Sequence, residues 1–553
     1  MRRSAASRVS IRRTSSRVRA RPGTLLIVCR AAGRSRWCVA CGFATIQPLM
    51  RFAVTALLLA LASCSGPAEP PAAKPPNVVY IQSDTHRWGA MSYTLTPQAV
   101  TPNMQAMAGQ GVSLDRYYVN LPICTPYRAI MMSGRWPWQQ GLMANHMSLG
   151  ERVDLPEGQK TRGTIAWAFK DAGYTTGHFG KWHLGGKDAR PFGFDRSVVW
   201  NGTNNHRKNT FNVDGGDNEK WQGESNATAT TEQALDWIAE KAQGEQPFFA
   251  VISLNPPHGP FDDAPEAKKA LYPDEKTLPF HPLDQIHDFE QHRDYHALIS
   301  GIDDDLGLVM RRLDELGLAE DTILVYTSDH GAMTGIDGVS YGQKRHPNDE
   351  SSRVPFLIRW PGSIVAGLRL EILASTIDVF PTLAGLCGLA PKLEGKPSGE
   401  YLVSLPGQDL SPWLLEGSDA FPQPTQEVYL AHPSNMNNNG SRHEIVWRAI
   451  VTPEYTYAVT DQGEHRLWAN GDGYQEKNLI DDPQYLETRR KLWAQLDKLL
   501  DKTERPFYDQ WFANAAEGEL KAWNREHGLG EGNTDRAAGK AFLFDMGKSK
   551  PGE

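Results

Sequence analysis

Four strand-like runs along the chain each end in polar, ionisable residues. Asn77-Val-Val-Tyr-Ile-Gln-Ser reads as a buried strand ending at Asp84, and Tyr174-Thr-Thr-Gly-His-Phe-Gly leads to Lys181-Trp182-His183. Pro247-Phe-Phe-Ala-Val-Ile-Ser-Leu leads to His258, and Thr322-Ile-Leu-Val-Tyr-Thr-Ser to Asp329-His330. Runs this apolar, without strict alternation, fit strands covered on both faces. Between them lie helical patterns. Leu298 to Leu316 has apolar residues at helical spacing, with Gly317 as a stop. The alternation predicts an α/β fold, a sheet with helices on both faces. Ligands of open α/β sheets bind beyond the carboxyl ends of the strands, where these four polar ends would meet. On the helical stretch, Asp303-Asp304-Asp305 reads as a solvated face. His292 and His296 are four apart and could face one another, with no third metal ligand nearby. Beyond the polar loop Asn435 to Asn439 the pattern changes. Glu444 to Trp468 reads as strands with turns at Thr452-Pro453 and Gln462-Gly463, and Leu486 to Leu500 as an amphipathic helix. A smaller C-terminal α+β subdomain, residues 425–553, is expected there.

Charge changes the picture at the amino terminus. Of 553 residues 40% are apolar, with 16 Trp, which is ample for a large packed core, and the net charge is −7. Residues 1–49 carry eleven Arg and no acid, so removing their +11 from −7 leaves −18 on the rest. That acidic body argues against nucleic acid as a partner. Translation is expected to start at Met50, with 1–49 a non-native extension. Residues 50–64 read as a signal peptide, because Ala53 to Ala62 is apolar but too short to span a bilayer. Leu61-Ala62-Ser63-Cys64 resembles a bacterial lipobox, whose cysteine becomes the lipidated first residue. Residues 65–76 form a Pro/Ala tether, and 77–424 the catalytic body. The expected product is exported, periplasmic or on the cell surface, and anchored to a membrane through Cys64. With Cys64 lipidated, no structural disulfide is expected.

The polar strand ends suggest a chemistry before any family is invoked. Asp84 and Asp329 are hard oxygen ligands suited to Ca²⁺ or Mg²⁺ and tolerable for Mn²⁺, and His330 offers a nitrogen. Arg128, Lys181 and Lys344 add the positive charge that an anionic transition state requires. His183 and His258 can move protons near neutral pH. Together they imply attack on a tetrahedral anionic ester, either sulfate or phosphate.

Residues 124–135, Cys-Thr-Pro-Tyr-Arg-Ala-Ile-Met-Met-Ser-Gly-Arg, resemble the sulfatase signature. Gly180-Lys-Trp-His-Leu-Gly185, Pro257-His258-Gly-Pro260 and Ser328-Asp-His-Gly331 extend the resemblance, as does Lys344 upstream of Glu350-Ser-Ser-Arg-Val-Pro355. It covers roughly Asn77 to Phe507 and implies an alkaline phosphatase-like fold, a large mixed sheet flanked by helices. It also implies a role at each matching position. Cys124, converted to 3-oxoalanine (formylglycine) by a maturation enzyme, would be nucleophile and metal ligand beside Asp84, Asp329 and His330, with Ca²⁺ as the expected ion. Arg128 would hold that group, Lys181 and Lys344 would bind sulfate, His183 would partner the hydrated aldehyde, and His258 would serve the leaving group. Two hydroxyls on one carbon let one attack sulfur while the other later expels sulfate, an exit that a serine lacks. Thr101-Pro-Asn-Met104 and Gly111-Val-Ser-Leu-Asp115 also resemble family text of a structural kind.

Two positions depart from the family pattern. Thr85 stands where many members carry a second acid or an amide, which predicts a weaker metal site. Tyr127 stands where a small residue is usual, and could line the pocket or alter conversion of Cys124. The activity expected is hydrolysis of a sulfate ester, of a sulfated carbohydrate or an aryl sulfate. The alternatives are a phosphonate monoester or phosphodiester hydrolase of the same superfamily, and an inactive binding lipoprotein.

Overall fold

The four runs form four adjacent strands at the centre of one sheet. In this computed structural model residues 74–504 are described, apart from 153, 201–203, 418–426, 434–445, 461–462 and 472–474. The leader, the lipobox, most of the tether and the loop Asn435 to Ser441 therefore lie outside the described residues. The central order is Thr322–Ser328, Asn77–Asp84, Phe248–Pro257, Thr175–Lys181, Arg196–Trp200, all parallel. Antiparallel neighbours, Phe356–Arg359 on one side and Lys208–Val213 on the other, extend this to a mixed sheet of ten strands. Parallel register brings the four carboxyl ends to one edge, so Asp84, Lys181, His258 and Asp329 arrive together.

Alternate side chains of the first strand feed two cores, which explains its continuous apolar reading. Val78 and Tyr80 pack on one face with the helices Cys124–Ser133 and Ile165–Asp171. Val79 and Ile81 pack on the other with Asn226–Lys241 and the long helix Phe289–Glu315. The long helix begins nine residues earlier than its apolar spacing suggests, capped by Asp288, whose side chain accepts from Gln291 N at 3.1 Å.

The acidic triplet on this helix is not a solvated face. Asp303 and Asp305 are buried, leaving only Asp304 on the outside. Asp303 accepts from Asn103 N (3.0 Å), Met104 N (2.7 Å) and Asn103 Nδ2 (2.8 Å). It thereby satisfies the free amides at the start of helix Pro102–Gln110, which gives the Thr101-Pro-Asn-Met104 motif its structural role. His292 and His296 do face each other, with ring centroids 4.6 Å apart. They pack among Phe280, Tyr295 and Tyr341, and burial pushes His292 down to about 3, so they belong to the core.

A second sheet of four antiparallel strands, Val428–His432, Trp447–Val451, Tyr455–Thr460 and Gly463–Ala469, is followed by helix Leu486–Thr503. Tyr429, Ile450 and Tyr457 of this sheet and Trp493 of that helix pack with Ile123, Ile130, Trp136 and Trp138. The small sheet thus backs the helix that carries Cys124. Trp447 Nε1 also donates to Arg345 O at 2.7 Å, fixing the loop beside Lys344. Among the described residues Cys124 and Cys387 are free thiols, and no helix is long and apolar enough to cross a membrane.

Candidate active site

Cys124 is the first residue of a buried ten-residue helix, where free backbone amides and the helix dipole favour a negative group. The helix ends at Gly134, whose φ of 62° and N–H bond to Ile130 O close it with a left-handed cap. Its start is fixed from the side. Thr125 N donates to Asn145 Oδ1 (2.9 Å), and Thr125 Oγ1 donates to His183 O (2.8 Å).

Around the thiol stand Asp84, Asp329 and His330, all fully buried, with one ligand atom from each of the four within 4.8 Å of the others. His330 Nδ1 lies 2.8 Å from Gly331 O, so that nitrogen carries the proton and Nε2 faces the cluster. Nε2 is 3.3 Å from Cys124 Sγ, 3.5 Å from Asp84 Oδ1 and 3.4 Å from Asp329 Oδ1. Two carboxylates, an imidazole nitrogen and a sulfur position that would become oxygen make a donor set fitting a hard dication. The two acids are driven apart. Burial alone would raise Asp84, but the charges of Lys181, Lys344 and His330 hold it well below the usual carboxylate range. Burial, and then the Asp84 charge, push Asp329 up to about 6.

Three cations close the cluster. Arg128 donates to Asp329 Oδ2 at 2.8 Å and reaches Asp84 Oδ2 at 3.4 Å, with its other arm on Ser253 Oγ (2.6 Å) and Lys181 O (2.9 Å). Lys181 Nζ lies 2.7 Å from Asp84 Oδ2 and 3.2 Å from Asn255 Oδ1. Lys344 Nζ is 3.1 Å from both Cys124 Sγ and His330 Nε2. Burial and Asp84 would raise the thiol, yet Lys344, His330 and Lys181 carry it well below its ordinary value. His183 and His258 complete the ring of groups. Burial lowers His183, and burial with Lys344 lowers His258 to about 3, so both are neutral. Every site residue singled out in the sequence thus converges on one pocket. A groove of about 480 Å³ at the amino ends of the strands, lined by Thr175, Arg196, Trp237 and Lys241, carries none of these groups.

The two positions that depart from the family pattern are both engaged by hydrogen bonds. Thr85 Oγ1 donates to Asp84 Oδ1 at 2.7 Å and its N–H reaches Asp329 Oδ1 at 3.2 Å, so it orients both carboxylates. Tyr127 points away from the pocket into the core, its hydroxyl 2.9 Å from that of Tyr80. Residues the sequence did not flag are Ser253, Asn255, Asn145 and His146. The His146 ring meets His183 edge-on, with centroids 5.5 Å apart. Thr85, His146 and His183 all hold φ between 54° and 78°, a strain that accumulates where geometry is functional.

Residues 76–389 match the family model described as Sulfatase. An ulvan-active sulfatase of Formosa agariphila is 32% identical over 439 residues, 77% of this chain and 81% of that protein. Solved structures share the fold. One, in complex with its substrate D-glucosamine-2-N,6-O-disulfate, has a TM-score of 0.64 at 20% identity, over 78% of this chain and 98% of that one. Another, a phosphonate monoester hydrolase from Silicibacter pomeroyi, has a TM-score of 0.60 at 19% identity, over 77% of this chain and 96% of that one.

Proposed function

The chain belongs to the sulfatase family and is a sulfuric ester hydrolase, and we propose that its substrate is a sulfate ester of a polysaccharide, attacked by residue 124. The observation that carries this is Cys124 at a helix start, 3.1 Å from Lys344 and within the charge of Lys181, Asp84 and His330. The sulfated polysaccharide is supported by the likeness to the ulvan-active sulfatase.

In this proposal Cys124 is converted to formylglycine, which supplies the attacking oxygen. Lys181 and Lys344 hold the sulfate oxygens, and their charge stabilises the transition state. Arg128 fixes residue 124 and Asp329 with one guanidinium. His183 sits against residue 124, and His258 faces the departing sugar oxygen. A dication, Ca²⁺ by preference for an oxygen-rich set, would be held by Asp84, Cys124, Asp329 and His330 and would polarise the ester. The lipobox further supports an exported protein anchored at Cys64, with a Pro/Ala tether holding the enzyme off the membrane. Membrane fractionation of wild type against Cys64→Ala tests this, and wild type found wholly soluble would sink it.

The function itself is tested with sulfated ulvan oligosaccharides and with 4-nitrophenyl sulfate set against bis(4-nitrophenyl) phosphate. Sulfate release from the oligosaccharides, with aryl sulfate cleaved faster than the phosphate diester, is expected. A faster rate on the diester, with no sulfate released, would make the protein a phosphodiester or phosphonate hydrolase instead.

A further inference from the structure

Behind Lys181 and His258 lies a second layer of polar side chains that neither the motifs nor the charged cluster account for. Asn255 and His206 are buried, at 3% and 2% exposure. Lys181 Nζ can only donate, so the Asn255 atom 3.2 Å away must be its carbonyl oxygen, Oδ1. The Asn255 amide nitrogen then points the other way. It donates to Asn204 O at 3.2 Å and lies 3.4 Å from His206 Nδ1. A ring nitrogen facing an amide N–H must accept, which leaves the His206 proton on Nε2. That nitrogen is 2.7 Å from the backbone carbonyl of His258, which can only accept. Each donor thus dictates the next, and one arrangement of protons satisfies the whole line.

The same two segments are laced together by the backbone. His258 N donates to Asn255 O at 3.1 Å. His206 N donates to Asp263 Oδ2 at 3.1 Å, and Arg207 reaches Asp263 O at 3.2 Å and Ala264 O at 3.1 Å. Burial lowers the His206 imidazole below its ordinary range, which suits the neutral ring that this line of bonds demands.

Resting on the reading of His258 as the leaving-group residue, we infer that Asn255 and His206 are positioning residues. They form a hydrogen-bonded relay from the Lys181 ammonium to the His258 main chain, setting the cation that grips the ester and the imidazole that serves the leaving oxygen in one mutual geometry. The relay has a direction, since reversing any one ring or amide leaves two donors or two acceptors facing each other in a buried space.

The test is a double-mutant cycle of His206→Ala and His258→Ala, read as sulfate release from ulvan oligosaccharides. His206→Ala should lower kcat about 30-fold in the wild-type background, because misplacing a proton-transfer group forfeits much of its contribution. In the His258→Ala background it should cost no more than about twofold, since effects that run through one residue do not add. His206→Gln, whose amide can take the place of Nε2–H, should recover most of the rate, whereas His206→Asn, which places its amide near Nδ1, should not. Equal losses in both backgrounds would mean a merely structural histidine and overturn the relay. An imidazole ¹⁵N spectrum, assigned with the His206→Gln variant, needs no substrate and should show His206 neutral with the proton on Nε2. A proton on Nδ1 overturns the relay whatever the substrate. Absence of sulfate release from wild type would count against the functional reading instead.

Discussion

The pocket around Cys124 and the long helix Phe289–Glu315 both bury carboxylates, and each neutralises them differently. In the pocket, Asp84 and Asp329 are answered by full charges, from Arg128 at 2.8 Å and Lys181 at 2.7 Å. On the helix, Asp303 is answered by two backbone amides and an asparagine, while Asp305 has Thr228 as its hydrogen-bonding neighbour and an Oδ2 without a partner. Burial pushes Asp305 up to about 7, whereas Asp84 stays ionised far below the usual range. Asp84, met by Lys181, keeps its charge for an anionic ester, while burial and the Asp84 charge push Asp329 up to about 6 despite Arg128. Charge met by dipoles, or by nothing, favours the proton and serves packing.

The comparison can be broken most sharply at Cys124. Cys124→Ala should lower kcat by at least about 10³-fold, because the proposed covalent route would be lost. Its melting temperature should stay near that of wild type, since a small buried side chain is replaced by another. Turnover within tenfold of wild type would remove residue 124 from the reaction. The helix should respond in the opposite sense. Asp303→Ala strands the amides at the start of Pro102–Gln110 and should cost about 2–3 kcal/mol, seen in thermal denaturation, with kcat at 25 °C preserved. A large kcat loss without destabilisation would join the two regions that are separated here.

The smallest effect sharpens the contrast through pH. The Asp305 carboxyl titrates near 7 when folded and near ~4 when unfolded. Between these values the folded state holds a proton that the unfolded chain has released, so stability falls as pH rises from about 4 to 7, and the deficit is complete above it. Asp305→Asn should therefore gain at least about 1 kcal/mol over wild type at pH 8 and less at pH 4.5. A gain independent of pH would show that the raised carboxyl is not its source.

Legibility in the sequence followed the range of the interactions. The four central strands were readable because both faces are buried, so the local text is apolar whatever the topology. Asp84, Lys181, His258 and Asp329 could be gathered from one rule about strand ends. The Asp303 to Asp305 triplet was misread because the amides that bury Asp303 lie 199 and 200 positions away. Nothing in a run of acids marks which of them will meet a helix start. Tyr127 was misplaced because its partner is Tyr80, on a strand 47 residues earlier. His206 and Asn255 went unread because each looks like an ordinary loop or strand-end polar residue until the chain brings them within 3.4 Å.

Cys124 is 1% exposed, at the start of a helix enclosed by Lys344 on one side and by the Ile123–Ile130–Tyr429 core on the other. Under the proposed conversion, a modifying enzyme would have to reach a thiol that the finished fold encloses. The proposed conversion would then have to come before closure of the central sheet. Folding speed would then act as a deadline: a chain that collapsed before meeting such an enzyme would keep its thiol buried and unconverted.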